Sequence, residues 1–169
     1  GEIQFKEFRN GKWRTVTLND CCSILDNKRK PVNEGDRNQM RGDIPYYGAN
    51  GLVDYVNDYI FDEELILMAE DGGYFDEFAT RPIAYLISGK SWVNNHAHVL
   101  RAKDGFCQHL IFYCLVHKNL SKYLNSGTRS KLNRGELEKI EIDLPVNFSE
   151  QKRIADVLIL LDRAIDAMT

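Results

Sequence analysis

The sequence contains no apolar run long enough to cross a bilayer, for which a helix needs about 20 mostly apolar residues. It opens with GEIQ, which lacks the basic stretch and the following apolar stretch of a secretory leader. We therefore expect no membrane segment and a cytoplasmic location.

Cysteine is scarce and irregularly spaced. The four cysteines, Cys21, Cys22, Cys107 and Cys114, do not show the paired spacing of a structural metal site. A chain of 169 residues can bury enough apolar surface to fold without disulfides. We expect reduced and mostly buried thiols, with neither a metal nor another cofactor.

Motifs for methyl transfer and for nucleotide hydrolysis are also missing. None of the four prolines is adjacent to another, which excludes the Asn-Pro-Pro-aromatic motif of amino-methyltransferases, and there is no glycine-rich P-loop. The order Glu150-Gln151-Lys152 resembles half of a nuclease centre, but it opens a predicted helix in which Glu favours the helix dipole. We expect no catalytic residue, and a cryptic nuclease is the enzymatic alternative.

Positive charge is absent from one long part of the chain, because residues 42–80 contain no Lys, Arg or His. The net charge of the whole chain is nevertheless only -3. Residues 28–41, the first basic segment, hold five cations against Glu34 and Asp36. Residues 127–134, the second basic segment, hold three cations and no carboxylate. This segregation indicates one face that repels an anionic partner and another that accepts it.

Strand patterns dominate the middle of the chain. An Asn-Gly pair between apolar runs predicts a hairpin over residues 44–56, and the continuous apolar run at 65–68 predicts a buried central strand. Further strands are predicted at residues 13–18, 59–61, 82–87, 97–101 and 140–144. Residues 88–91 are predicted to be a connection between strands. A brief helix is predicted at residues 21–25, capped by Asn19 or Asp20, and a longer helix is predicted at residues 109–124.

The chain ends in an amphipathic pattern that predicts a helix from Ser149, its expected N-cap, to the last residue. Its apolar positions follow a heptad seam and are expected to meet a partner; they include Ile154, Val157, Leu158, Leu161 and Ile165. The predicted fold is therefore α+β, a twisted and mainly antiparallel sheet region with packed helices followed by the start of a long coiled-coil-type helix. The expected division is a globular domain at 1–148 and this helix at 149–169.

Several segments follow one another along the chain: residues 13–20 at the entry, GDIPYYGANG at 42–51, LMAEDGG at 67–73, NNHA at 94–97, GTRSKLN at 127–133, and IDLP at 142–145 leading to EQKRI at 150–154. Taken in this order, they resemble the specificity subunits of Type I restriction-modification enzymes. Pro145 is followed by Val146 where the family often has a second Pro, which is a small departure. The resemblance covers nearly the whole chain from Trp13 onward.

The resemblance implies one target recognition domain that reads half of a bipartite site in double-stranded DNA. Methyltransferase and restriction subunits would then act as partners, together with a second recognition domain or a second copy that meets the terminal helix. The alternative is an assembly module that uses this helix and never touches DNA.

Arg can form two hydrogen bonds with guanine, Asn can form two with adenine, and Lys or Arg can contact a phosphate. We therefore expect the DNA contacts to lie in the polar and basic loops. They are Lys28, Arg29, Lys30, Arg37, Arg41, Asn94, Asn95, Thr128, Arg129, Ser130, Lys131 and Arg134. The amides of Asn94 and Asn95 could instead tie down a turn, and a charge run can be merely a solvated face. His96 and His98 share a strand face like a metal pair, but without a carboxylate nearby in sequence we expect structural histidines. The DNA-reading hypothesis requires both basic segments to face one surface.

Overall fold

The structure is a computed structural model that describes residues 11–125 and 130–168. Its strands are β1 (Trp13–Thr17), β2 (Cys22–Ile24), β3 (Ile44–Gly48), β4 (Gly51–Val56), β5 (Phe61–Asp62), β6 (Leu65–Ala69), β7 (Ala84–Ile87), β8 (Lys90–Val93), β9 (Ala97–Ala102) and β10 (Glu141–Pro145). Its α-helices are α1 (Leu18–Cys21), α2 (Glu34–Gln39), α3 (Gln108–Leu115), α4 (Arg134–Leu137) and α5 (Phe148–Asp166). The predicted α+β class is confirmed.

Strand β6 is the centre of the fold, in an antiparallel sheet of order β2-β9-β6-β7. All of its residues are buried, as predicted from the continuous apolar run. Because side chains alternate along a strand, Ile66 and Met68 join the larger core cluster while Leu65 and Leu67 join a second cluster. The sheet is therefore covered on both faces.

A second sheet has the order β4-β3-β8-β5 and contains the predicted hairpin of β3 and β4. Its strand β8 lies where the sequence predicted only a connection, and that prediction was wrong. Trp92 and Val93 are buried there, and β8 runs parallel to β3, which is distant in the chain. The Trp92 indole also donates a hydrogen bond to the carbonyl of Lys30 at 2.7 Å, which attaches the first basic segment to this sheet.

A two-stranded antiparallel sheet of β1 and β10 brings the two ends of the domain together. The brief helix near this sheet is shifted from its predicted place, because it spans Leu18–Cys21 and is capped by Thr17. Thr17 and Asp20 exchange hydrogen bonds in a capping box. Cys22 then begins a strand where the sequence predicted helix.

Helix α3 ends at Leu115, several residues before the predicted position. The carbonyl of Val116 accepts a hydrogen bond from the amide of Ile83 at 3.0 Å, and a separate 3₁₀ turn follows at Ser121–Tyr123. A tertiary contact therefore ends the helix, although the helical pattern of apolar residues continues beyond it.

Helix α5 begins at Phe148 with Asn147 as its N-cap, which corrects the predicted cap at Ser149. Ile154 and Leu158, which were predicted to meet a partner, pack against the core of their own domain. Leu161 and Ile165 remain 50% and 59% exposed. Over the described part of the chain, no helix combines the length and apolar character needed to cross a membrane.

The four cysteines are free thiols, as predicted. Cys21 and Cys22 are buried, and Cys107 and Cys114 are half-buried. Burial raises the pKa of Cys114 to about 11, so this thiol stays protonated at neutral pH and packs as an apolar group.

Leu67→Ala is expected to lower the free energy of unfolding by about 2–5 kcal/mol, because it leaves a cavity beneath the central sheet. Leu160→Ala removes the same atoms from a side chain that is 62% exposed and should change stability by less than about 0.5 kcal/mol. Urea denaturation of both variants measures the difference. Equal losses would mean that β6 is not the centre of the core.

Candidate nucleic-acid interface

Loops from distant parts of the chain meet at one end of the central sheet. They are the start of the first basic segment, the tip of the β3–β4 hairpin, the turn after β6, the turn between β8 and β9, and the described part of the second basic segment. Asn50 at the hairpin tip donates a hydrogen bond to the carbonyl of Gly72 at 2.8 Å, which joins two of these loops. Leu132 and Glu70 are joined by a backbone hydrogen bond of 2.8 Å, which adds the second basic segment.

Glu70 holds the two basic segments together. Its Oε2 accepts a hydrogen bond from Nη1 of Arg29 at 2.6 Å, and its Oε1 lies 3.0 Å from Nζ of Lys131. Burial on its own raises the pKa of Glu70, but the hydrogen bonds from Arg29 and Lys131 outweigh this effect, so the pKa lies below its ordinary value. The carboxylate is therefore charged at neutral pH and attracts both cations.

Arg29 lies inside this cluster, with a side chain only 13% exposed. Besides Glu70, it donates to the carbonyls of Asp26 at 3.1 Å, Ala97 at 2.8 Å and Asn95 at 3.4 Å. Its Nε and Nη1 donors are thus engaged by the protein. These bonds hold the β8–β9 turn, and the DNA contact that the sequence predicts for Arg29 stays a prediction.

His98 is buried and has partners at both ring nitrogens. Nδ1 lies 2.7 Å from Oδ2 of Asp26, and Nε2 lies 2.7 Å from the carbonyl of Leu132. Burial raises the pKa of Asp26, but the hydrogen bond from His98 and further contacts lower it by more. His98 therefore fixes the second basic segment to β9.

Asp26, Glu70 and His98 bring three possible metal-ligand atoms within 4.8 Å of one another. The sequence analysis found no carboxylate near the histidines because these two acids approach from other loops. Arg29 and Lys131 already provide positive charge beside Glu70, and Nε2 of His98 faces a backbone carbonyl. The arrangement is that of an ion-pair network, so a metal is not needed to neutralise it.

The turn between β8 and β9 carries Asn94, Asn95 and His96. Asn94 is buried, and its side-chain oxygen accepts a hydrogen bond from the amide of His96 at 2.8 Å, so it ties down the turn. Asn95 is exposed. His96 is also exposed, and its Nδ1 lies 2.6 Å from Oδ1 of Asp71.

Two open clefts flank this turn, with volumes of about 360 Å³ and 400 Å³. The first lies against the hairpin tip and the turn after β6, and the second lies against Pro31, Val32, Asn33 and Arg37. Asn94 and His96 line both clefts. The clefts are therefore neighbours that share one wall.

The remaining predicted contacts differ in exposure. Lys28, Lys30, Arg41 and Arg134 are exposed, and Ser130 and Lys131 are half-buried. Arg37 is half-buried because it bonds Asp54 at 3.1 Å and the carbonyl of Val32 at 2.6 Å. Thr128 and Arg129 lie outside the described residues.

Sequence reasoning did not select Glu70, Asp71 or His96 as residues of this site. Glu70 and Asp71 belong to the acidic stretch that was interpreted as repelling DNA, and only their place in the LMAEDGG segment at residues 67–73 marked them out. Their partners come from other loops, which a local pattern does not reveal.

Comparison with known proteins assigns the chain to a family. The family model described as the Type I restriction modification DNA specificity domain matches residues 10–169. The chain belongs to this family. In this type I specificity domain, the three sheets that the described residues form are followed by helix α5.

Individual relatives extend the comparison of this type I specificity domain. A type I restriction enzyme specificity subunit of Haemophilus influenzae is 36% identical over 141 residues, which are 83% of this chain and 35% of that protein. The S subunit of a Type I restriction-modification system from M. genitalium has a TM-score of 0.74 at 14% identity, covering 96% of this chain and 42% of the other. A chain from a type I R-M system studied for its complex assembly has a TM-score of 0.65 at 18% identity, covering 92% and 40%. The type I specificity domain described here thus spans about a third of its curated relative.

Glu70→Gln is expected to lower the free energy of unfolding by about 1–3 kcal/mol at neutral pH, because charge-assisted hydrogen bonds to Arg29 and Lys131 weaken. The pKa of Glu70 is lowered from 4.5 in the folded chain. Its stabilisation is therefore complete above pH 4.5 and is lost as the pH falls through the lower folded-state pKa. Urea denaturation at several pH values should show the deficit shrinking in acid.

The matched control is Glu77→Gln, which weakens an exposed ion pair with Arg81 at 3.6 Å. This change should cost less than about 1 kcal/mol at any pH. A Glu70→Gln deficit that is no larger, or that persists unchanged in acid, would contradict the role given to Glu70.

Proposed function

We propose that the chain is a target recognition domain that reads the sequence of double-stranded DNA, contributing half of a bipartite site. The observation that carries this proposal is the convergence of both basic segments on Glu70, next to the two clefts. Family membership supports it. The fold likeness to S subunits supports only the architecture, since the identities are low.

Within this proposal, cations at the edge of the site contact phosphates and position the duplex. Lys28, Lys30, Arg41 and Arg134 are exposed and suit this role. Lys131 and Arg37 contribute while remaining paired with acids of the domain. Thr128, Arg129 and Ser130 are proposed as phosphate contacts from the sequence alone. Asn95 is the exposed amide for reading a base, and Arg29 and Asn94 position the loops.

Bond cleavage and methyl transfer are assigned to other subunits. The sequence that resembles half of a nuclease centre lies in the first turn of α5, where Glu150 and Gln151 are buried. Gln151 accepts a hydrogen bond from the amide of Cys107 at 2.9 Å and donates to the carbonyl of Pro145 at 2.8 Å, so it joins α5 to the domain. Incubation of the chain with Mg²⁺ and duplex DNA is expected to give no cleavage.

Docking through α5 is the second function that a specific observation favours. Leu160, Leu161 and Ile165 leave large apolar surfaces exposed on the last turns of this helix, and Met168 is exposed just beyond its end. We assign this surface to a partner, which is a second recognition domain, a second copy, or a modification subunit that recruits the restriction subunit. A chain that only assembles through α5 remains the alternative to DNA reading.

Lys28→Ala with Lys30→Ala is expected to weaken binding to all duplexes by roughly tenfold at moderate salt, because two phosphate contacts are lost. The slope of log affinity against log salt should fall by about 2, with the preferred sequence unchanged. Selection from a random duplex pool followed by titration at several salt concentrations measures both quantities.

The matched control is Lys122→Ala with Lys152→Ala, which removes two exposed lysines outside both basic segments. Its affinity and salt slope should equal those of the unsubstituted chain. Equal losses in the two double variants would show general charge attraction only, and a chain that enriches no sequence would contradict the proposed function.

Leu161→Glu with Ile165→Glu is expected to abolish association through α5, because charges are placed on its exposed apolar surface. Sedimentation of the chain alone and with the methyltransferase subunit of its own system measures association, while DNA affinity should stay within about twofold. Lys152→Ala, on the first half of α5, is the control. Unchanged association with both partners would contradict the docking role, and association without any DNA binding would favour the alternative.

A further inference from the structure

We propose that His96 is a specificity-determining residue that contacts the edge of one base pair through Nε2. This inference rests on the proposed function and deepens it, because it names a base-reading side chain at the wall shared by the two clefts. His96 was not among the DNA contacts expected from the sequence.

The turn holds His96 rigidly. Its amide donates to the side chain of Asn94 at 2.8 Å, and its carbonyl accepts from the amide of Glu70 at 2.8 Å. The ring is fixed as well, since Nδ1 lies 2.6 Å from Oδ1 of Asp71. A reading group needs such support, because a loose side chain loses entropy and discriminates poorly.

The other side of the ring is exposed at the wall that the two clefts share. The side chain is 48% exposed, and among the described residues Nε2 has no hydrogen-bond partner. Because a carboxylate only accepts, Nδ1 carries the proton in its contact with Asp71. In a neutral ring Nε2 then accepts from the amino group of adenine or cytosine, and in a charged ring it donates to guanine.

Charges around the ring favour a base edge over a phosphate. Asp71 lies against the ring, so its carboxylate disfavours a phosphate at this position. Among the described residues, three cations of the basic segments are engaged by acids, because Arg29 and Lys131 contact Glu70 and Arg37 contacts Asp54. Exposed Leu52 and Val53 line the first cleft and offer an apolar wall that suits a base edge or a thymine methyl group.

The experiment compares the full chain with His96→Ala and His96→Gln by selection from a random duplex pool and by titration at several salt concentrations. His96→Ala should reduce discrimination at one position of the motif by about five- to tenfold. Other positions and the salt slope should stay unchanged. His96→Gln should shift the preference at that same position towards adenine, which Gln recognises through two hydrogen bonds.

His117→Ala is the matched control, since His117 is also exposed and its Nδ1 lies 2.6 Å from the carbonyl of Phe78, away from the residues lining the clefts. It should leave the motif intact. A uniform loss of affinity in His96→Ala with a salt slope lower by about 1 would identify a phosphate contact and overturn the inference. An unchanged motif in both His96 variants would overturn the inference alone, whereas an unsubstituted chain without a motif would overturn the proposed function as well.

Discussion

The proposed DNA-binding end of this domain depends on the attraction of one carboxylate for two cations. Glu70 follows the buried central strand and is therefore fixed by the core, while Arg29 and Lys131 come from loops that have no sheet of their own at this point. The interaction converts two loops into one surface. His98 and Asp26 strengthen this connection from below, because His98 reaches the backbone beside Lys131.

This arrangement explains how a chain with a net charge of -3 can serve as a DNA-reading domain. The acidic stretch of residues 42–80 was interpreted as a repelling face, yet Asp54, Glu70 and Asp71 contact cationic or histidine side chains of the proposed interface. Under the proposed function, these acids position the groups that approach DNA and limit how many phosphates the site attracts. Binding that relies less on charge leaves more of the affinity to contacts with bases.

Local patterns predicted much of the fold. The Asn-Gly turn located the β3–β4 hairpin, and the apolar run located β6, because each depends on neighbouring residues. Strand β8 was missed because its parallel pairing with β3 is a long-range contact, and the end of α3 was missed because a tertiary hydrogen bond to Ile83 sets it. The candidate site shows the same difference between local patterns and long-range contacts. The basic segments could be identified from the sequence, but their contact with Glu70 arises only when the chain folds.

Hydrogen exchange of the chain with and without a selected duplex shows whether both basic segments meet DNA, because it reports on both at once. If they do, the duplex slows exchange in residues 28–33, 94–97 and 130–134 together, while the last turns of α5 stay unchanged. Protection of only one basic segment, or of α5 alone, would contradict the single DNA-facing surface described here.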